Sequence, residues 1–315
     1  MRRFLLIVLS LLAVLAVLLV VNAVIVEGET KAAQADGAGR VLNLPGGDLH
    51  VTDRGPRDAP TILLVHCYTC SMAYWQRVEP LLRRDHRVIS VDLLGHGGSE
   101  KPEDGYSMEH QADTIAQALN ALDAPPVLAV GQSLGGPVST ALAERHPERV
   151  RGLVIMDSAS RSEFVDLPLT AKIARAPVIG PAIKRVVPDD KIREELSKAF
   201  AEGFDVPDEF VEDVKDMTFT AFRESGTAGT DFADAKRLDD RIAATGLPVT
   251  VVFGAEDRIV DPTSADDFRD IPGAKVVVLP GVGHTPQMER PARSAALIRA
   301  QDRAAPDRSA PRTKS

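Results

Sequence analysis

Ser133 stands in the run VGQSLGG, residues 130–136, with Gly131 and Gly135 two positions to either side. The run follows an apolar stretch and opens a helical one, the setting of a strand-to-helix turn that projects a serine hydroxyl above a sheet. Glycine neighbours let the two backbones approach closely. The helix N-terminus favours negative charge that develops there. The plainer alternative is a serine that merely caps a helix. A serine becomes a nucleophile only beside a base, and that base needs an orienting carboxylate. Two late segments supply both: VVFGAEDRIV carries Asp257 just past one apolar run, and VVVLPGVGHTPQMERP carries His284 just past the next. The chemistry these residue types allow is acyl transfer through a serine ester.

Those three side chains must be delivered to one edge of a sheet. Short apolar runs rich in β-branched residues recur at 61–66, 87–92, 127–131, 153–156, 249–254 and 275–279, as expected of parallel strands buried on both faces. Helical stretches at 73–83, 107–122, 134–145, 264–269 and 290–303 alternate with them, so an α/β class is expected. Runs at 41–44 and 49–53 flank PGGD as a hairpin. The alternation breaks over 158–246, read as a helical cap inserted above the sheet. The expected division is 1–27 membrane anchor or signal, 28–40 linker, 41–157 and 247–303 the two parts of the core, and 304–315 a disordered tail with almost nothing to bury.

Four motifs together resemble the α/β-hydrolase-fold serine hydrolases, in particular their capped esterase and lipase-like members, over residues 41–303. They are GQSLG, GAEDRIV, GVGHTPQMERP and DLLGHGGSEKP at 92–102, the last similar to a D-x-x-G-x-G-x-S loop of the family. The order serine, aspartate, histidine is that of this family. The resemblance implies a mostly parallel sheet flanked by helices, the triad Ser133, Asp257 and His284, and no cofactor or metal. Asp157, closing LVIMD, is the second candidate for the acid, because some members place it after that earlier strand. Asp92 and His96 are expected to stabilise their loop. A serine at the turn also sets the chain apart from relatives that use an aspartate there, the haloalkane dehalogenases and epoxide hydrolases.

Acyl transfer passes through an oxyanion, which two preorganised backbone amides stabilise by about 3 to 4 kcal/mol each. One is the amide of Leu134, after the nucleophile. The other, by the resemblance, belongs to the loop HCYTCS, where Tyr68 matches the family's donor. The family's two glycines in this loop are replaced by Cys67 and Cys70, the chain's 2 cysteines. In an oxidising compartment a pair at i and i+3 is expected to close as a disulfide that stiffens the loop, the alternative being two reduced, buried thiols. Two thiols are too few to hold a metal without partners.

Compartment is read from the N-terminus. Residues 4–26 are uncharged and apolar, and as a helix they reach roughly 34 Å, enough to cross a bilayer core. Arg2 and Arg3 precede the run while Glu27 and Glu29 follow it, which keeps the N-terminus cytoplasmic and sends the catalytic body across. A cleaved signal peptide ending at Ala23 is the alternative, and either reading exports the domain. A net charge of −8, with no basic aromatic stripe, excludes nucleic acid as a partner. The expected partner is a small ester or lipid. Alternatives on the same fold are a C–C bond hydrolase, a perhydrolase-like enzyme, or a ligand-binding receptor without turnover.

Overall fold

The computed structural model describes residues 2–35, 39–165 and 169–306. Its centre is an eight-stranded sheet of β1 (Arg40–Leu42), β2 (Leu49–Arg54), β3 (Thr61–Val65), β4 (Arg87–Val91), β5 (Val127–Gln132), β6 (Val150–Met156), β7 (Val249–Gly254) and β8 (Lys275–Leu279). The spatial order is β1-β2-β4-β3-β5-β6-β7-β8. β1 and β2 form the expected hairpin and β2 runs antiparallel to β4, whereas β4, β3, β5, β6, β7 and β8 are parallel to their neighbours. This is the α/β-hydrolase fold.

Strand periodicity divides the core in two. Leu63 and Val65 of β3 face a cluster completed by helices α3 (Met108–Ala121) and α4 (Gly135–Arg145). Ile62 and Leu64 face the other way, onto Trp75, α2 (Glu79–Leu82) and α12 (Pro291–Ala304). Both faces are therefore dry along β3 to β7, which explains why these strands read as continuous apolar runs; β8, at the edge of the sheet, departs from the expectation and leaves Lys275 and Val278 exposed. The helix expected over 73–83 is split into a 3-10 turn, Met72–Trp75, and the short α2. Pro80 has no N–H to continue a helical ladder from the preceding turn. The stretch expected over 264–269 is likewise a 3-10 element, Pro262–Asp270.

Between β6 and β7 lie α5 (Leu169–Ala174), α6 (Ile179–Val186), α7 (Asp189–Ser197), α8 (Asp208–Asp216), α9 (Phe219–Ala235) and α10 (Leu238–Thr245). α10 packs on α4 beside the sheet. The others form the helical layer above the strand ends.

The N-terminal apolar run is a single helix, α1 (Arg2–Glu27), about 39 Å long at 1.5 Å per residue. Most of its side chains are exposed, but Ala23 and Val26 at its end are buried, where the helix packs on α6 and α9. The carbonyl of Glu27 accepts from Thr220 Oγ1 at 2.8 Å, and its carboxylate pairs with Arg223 at 2.6 Å. The small-residue segment that follows is also held. Lys31 exchanges two backbone hydrogen bonds with Lys101, and the Gln34 amide donates to Gly98. Main-chain pairing of this kind needs no large side chains, so composition alone did not reveal it. Of the tail expected to be disordered, residues 307–315 lie outside the described residues, and α12 extends through Ala304.

Candidate active site

Ser133 occupies the turn between β5 and α4 with φ +51°, a left-handed conformation that costs a non-glycine residue energy and persists only where its surroundings impose it. They do so here. The Ser133 amide donates to Met156 on β6 at 2.8 Å, and its carbonyl accepts from the Gly136 amide at 2.9 Å and from Ser158 Oγ at 2.8 Å. The flanking glycines are required by space: a Cβ on Gly131 would lie 2.1 Å from the Gly135 carbonyl oxygen, and one on Gly135 would lie 2.2 Å from that of Val65.

Asp257 and His284 come from the loops after β7 and β8, and both are buried. His284 Nδ1 lies 2.7 Å from Asp257 Oδ2. The other carboxylate oxygen of Asp257 accepts the amides of Ile259 at 2.7 Å and Val260 at 3.0 Å, which fixes the group's plane. Gln132, the residue before Ser133, donates to the His284 carbonyl at 2.7 Å and so ties the histidine loop to the serine turn. Because Asp257 accepts the Nδ1 proton, Nε2 is left as the basic nitrogen of the neutral imidazole. With Nδ1 so engaged, His284 has no lone pair there to offer a cation.

Glu289 is a site-building residue that the sequence reading did not single out. Its carboxylate accepts from the amides of Gly283 at 3.1 Å and Ala201 at 2.8 Å and from Thr285 Oγ1 at 3.0 Å. It thereby fastens the loop on both sides of His284 to the α7–α8 connection of the cap. The sequence signal for its local contacts was the MERP that ends the histidine motif, six positions or fewer from Gly283 and Thr285, whereas its bond to Ala201 spans 88 positions.

The third loop is HCYTCS. His66 accepts the Leu93 amide on Nε2 at 2.9 Å and faces the Cys67 carbonyl with Nδ1 at 2.7 Å, so both nitrogens serve to hold the loop. Burial lowers its pKa, keeping the ring neutral. The sulfurs of Cys67 and Cys70 are joined, with Cα atoms 5.3 Å apart, and Thr69 between them has φ +58°. Among the described residues neither the Tyr68 nor the Leu134 amide is engaged by a carbonyl. The Tyr68 hydroxyl donates to the Phe222 carbonyl on α9, and burial pushes its pKa up to about 12. The guanidinium of Arg175, just past α5, stacks on the Tyr68 ring.

Asp92 and His96 have the structural places expected of them. Asp92 pairs with His50 Nδ1 at 2.8 Å and accepts the amides of Met72 at 2.7 Å and Gly98 at 2.9 Å. Burial pushes the pKa of His96 down to about 3, so the ring packs neutral against His66. Asp157 lies beside Asp257 and His284, with one carboxylate oxygen of each aspartate and a ring nitrogen of His284 all within 4.8 Å of one another.

A strained serine turn, a buried histidine–aspartate pair and two unengaged amides on one edge of this sheet define a hydrolase of the α/β class. The model of the Alpha/beta hydrolase family matches residues 62–297, and the chain belongs to that family. It is 33% identical over 237 residues to the 2-hydroxymuconate semialdehyde hydrolase of Pseudomonas sp. (strain CF600), a match covering 72% of this chain and 80% of that protein. A thermophilic esterase from Thermogutta terrifontis superposes with a TM-score of 0.68 at 28% identity, over 85% of this chain and 99% of the esterase. A bacterial membrane phospholipase A shares the fold with a TM-score of 0.71 at 23% identity, over 96% of this chain and 99% of that one.

Proposed function

We propose that the protein hydrolyses carboxylic esters by an acyl-enzyme mechanism. Ser133 Oγ attacks the ester carbonyl while His284 takes its proton and returns it to the leaving alcohol. Water then repeats the sequence on the acyl-serine. Asp257 holds the imidazole in the tautomer that leaves Nε2 basic and stabilises the imidazolium formed. The amides of Tyr68 and Leu134 receive the oxyanion, at about 3 to 4 kcal/mol each. The observation that carries this reading is the 2.7 Å contact of His284 Nδ1 with Asp257 Oδ2, in loops that leave the same strand ends as the strained Ser133 turn.

In this reading α1 is a single-pass anchor with the catalytic body outside the cytoplasm, and the substrates are esters met at a membrane. The support is its uncharged length behind Arg2 and Arg3, together with a likeness to the membrane phospholipase that extends over 96% of the chain. C–C bond hydrolysis is the second reading, favoured by the 33% identity to a semialdehyde hydrolase.

Labelling by a fluorophosphonate probe, followed by turnover of acyl esters of graded chain length, tests the proposal. Labelling and ester turnover, both lost in Ser133→Ala, are expected. A protein that takes the probe but spares every ester and cleaves a vinylogous diketone acid would belong to the second reading. One that refuses the probe altogether would be a receptor on this fold.

A further inference from the structure

The triad reading leaves a second buried carboxyl group unused. Asp157 directly follows β6 and is 0% exposed. Its φ of +46° puts it in the left-handed region, which aspartate tolerates better than most side chains. Its amide donates to the Val252 carbonyl at 2.8 Å, and its Oδ1 accepts the Gly254 amide at 2.8 Å. Its Oδ2 is sealed from water and receives no donor. Yet a carboxylate oxygen of Asp157, one of Asp257 and a ring nitrogen of His284 lie within 4.8 Å of one another.

Two carboxylates that close in a dry site cannot both ionise, and one of them keeps its proton. Hydrogen bonding decides which. Asp257 receives three donors: the amides of Ile259 and Val260 and the Nδ1–H of His284. Each stabilises its charged form. Asp157 receives one. A carboxylate offers about four lone-pair sites, so Asp257 has room for one further donor, and the unmatched oxygen of Asp157 needs only a proton to become that donor. We propose that Asp157 is a positioning residue: a neutral carboxylic acid whose O–H donates to Asp257 and holds that carboxylate against His284.

Burial first, and then the negative charge of Asp257, raise the pKa of Asp157 well above the carboxylate range. Glu289 on α11 (Pro286–Glu289) adds like charge in the same direction, and His284 is the facing group that can become cationic. Ionisation of Asp157 at alkaline pH would remove the donor and put a second negative charge beside Asp257. Turnover should therefore fall on the alkaline side through this one group. Asparagine at 157 keeps an N–H donor at every pH and cannot ionise.

The inference rests on the triad reading for its kinetic consequence, but the proton itself can be observed without turnover. Full-length wild type, Asp157→Asn and Asp157→Leu in detergent would be compared by the infrared carbonyl stretch of protonated carboxyl groups at about pH 8, and by kcat/KM from about pH 5 to 10. A protonated-carboxyl band that is present in wild type and lost in Asp157→Asn is expected. Asp157→Asn should keep turnover within about tenfold of wild type and lose the alkaline limb, while Asp157→Leu should fall about 100-fold through a misplaced Asp257. A wild type without that band overturns the proposal whether or not any ester is turned over. So does an Asp157→Asn variant that keeps the alkaline limb, or one as inactive as Asp257→Asn, which would make Asp157 the triad acid. Failure of the esterase reading shows separately, as absent probe labelling in a wild type that retains the band.

Discussion

The guanidinium of Arg175 lies 4.6 Å from the centre of the Tyr68 ring and also faces Phe222 at 5.9 Å. A cation from the cap thus closes over the residue whose amide is proposed to receive the oxyanion, and Gly226 makes room for it: a Cβ there would meet Arg175 Nη2 at 2.5 Å. Such a contact contributes about 0.5 to 2 kcal/mol. Arg175→Ala is expected to loosen the cap over the loop and weaken kcat/KM by about 2- to 30-fold, with labelling by the small fluorophosphonate probe much less affected. Steady-state kinetics on a long-chain and a short-chain ester would measure it, and equal loss on both would place the effect in the chemistry instead.

The catalytic assignment predicts that Ser133→Ala abolishes both turnover and probe labelling without lowering the melting temperature. Asp257→Asn should lower kcat by about 10⁴-fold through the wrong histidine tautomer. Near-wild-type turnover of Asp257→Asn would move the acid to another residue.

Cys67 and Cys70 enclose a very short loop, and on the chain-entropy model a short loop adds little to global stability. Reduction, or replacement of both by alanine, should therefore lower turnover more than it lowers the melting temperature. Glycine at both positions should recover part of the loss. Mass spectrometry after alkylation without reduction reads the bond directly, and two alkylated thiols in freshly exported protein would remove it.

His86 supplies a pH dependence of stability separate from the site. Burial alone would lower its pKa, but Asp302, which accepts from its Nε2 at 3.2 Å, and the Asp85 carboxylate, paired with Nδ1 at 3.0 Å, outweigh burial and hold it above the ordinary value. A raised folded pKa means that the contribution is present in full below about pH 6.5 and is lost as pH rises through the folded value. The melting-temperature advantage of wild type over His86→Gln should be largest near pH 6 and shrink toward about pH 9. A constant difference across that range would show that the histidine acts by packing alone.

The proposed anchor role of α1 predicts membrane residence. The full-length protein should stay with membranes through a carbonate wash, and protease added from outside should reach its bulk. A mature chain that begins at Val24 would instead identify a cleaved signal.

The candidate site was legible in the sequence because Ser133, Asp257 and His284 each sit in a short motif beside an apolar strand, and parallel strands carry such loops to one edge. Strands β3 to β7 were legible for a related reason: with both faces buried they read as unbroken apolar runs, while β8 carries such a run at an exposed sheet edge. Asp157 appeared as a competitor to Asp257, whereas the fold puts the two side by side, an outcome that depends on β6 and β7 being neighbours. Arg175 over Tyr68 and Glu289 on Ala201 were not legible, since each joins the cap to the core across a long stretch of chain and depends on how the helices settle. The docked segment after α1 was hidden too, because its bonds run through the main chain.

Lys31 is where three bodies meet. Its backbone is bonded to Lys101 of the core, its ammonium reaches Asp216 on α8 of the cap at 3.1 Å, and the chain behind it runs directly into α1, whose last residue, Glu27, is paired with Arg223 on α9. The polypeptide leaving α1 therefore works as a strap across the seam between cap and core. Cutting it away to obtain a soluble protein would remove the Glu27, Thr220 and Lys31 bonds together, and the shortened enzyme would carry a cap freer to open than that of the intact chain. Substrate preferences measured on such a fragment would describe an unstrapped mouth.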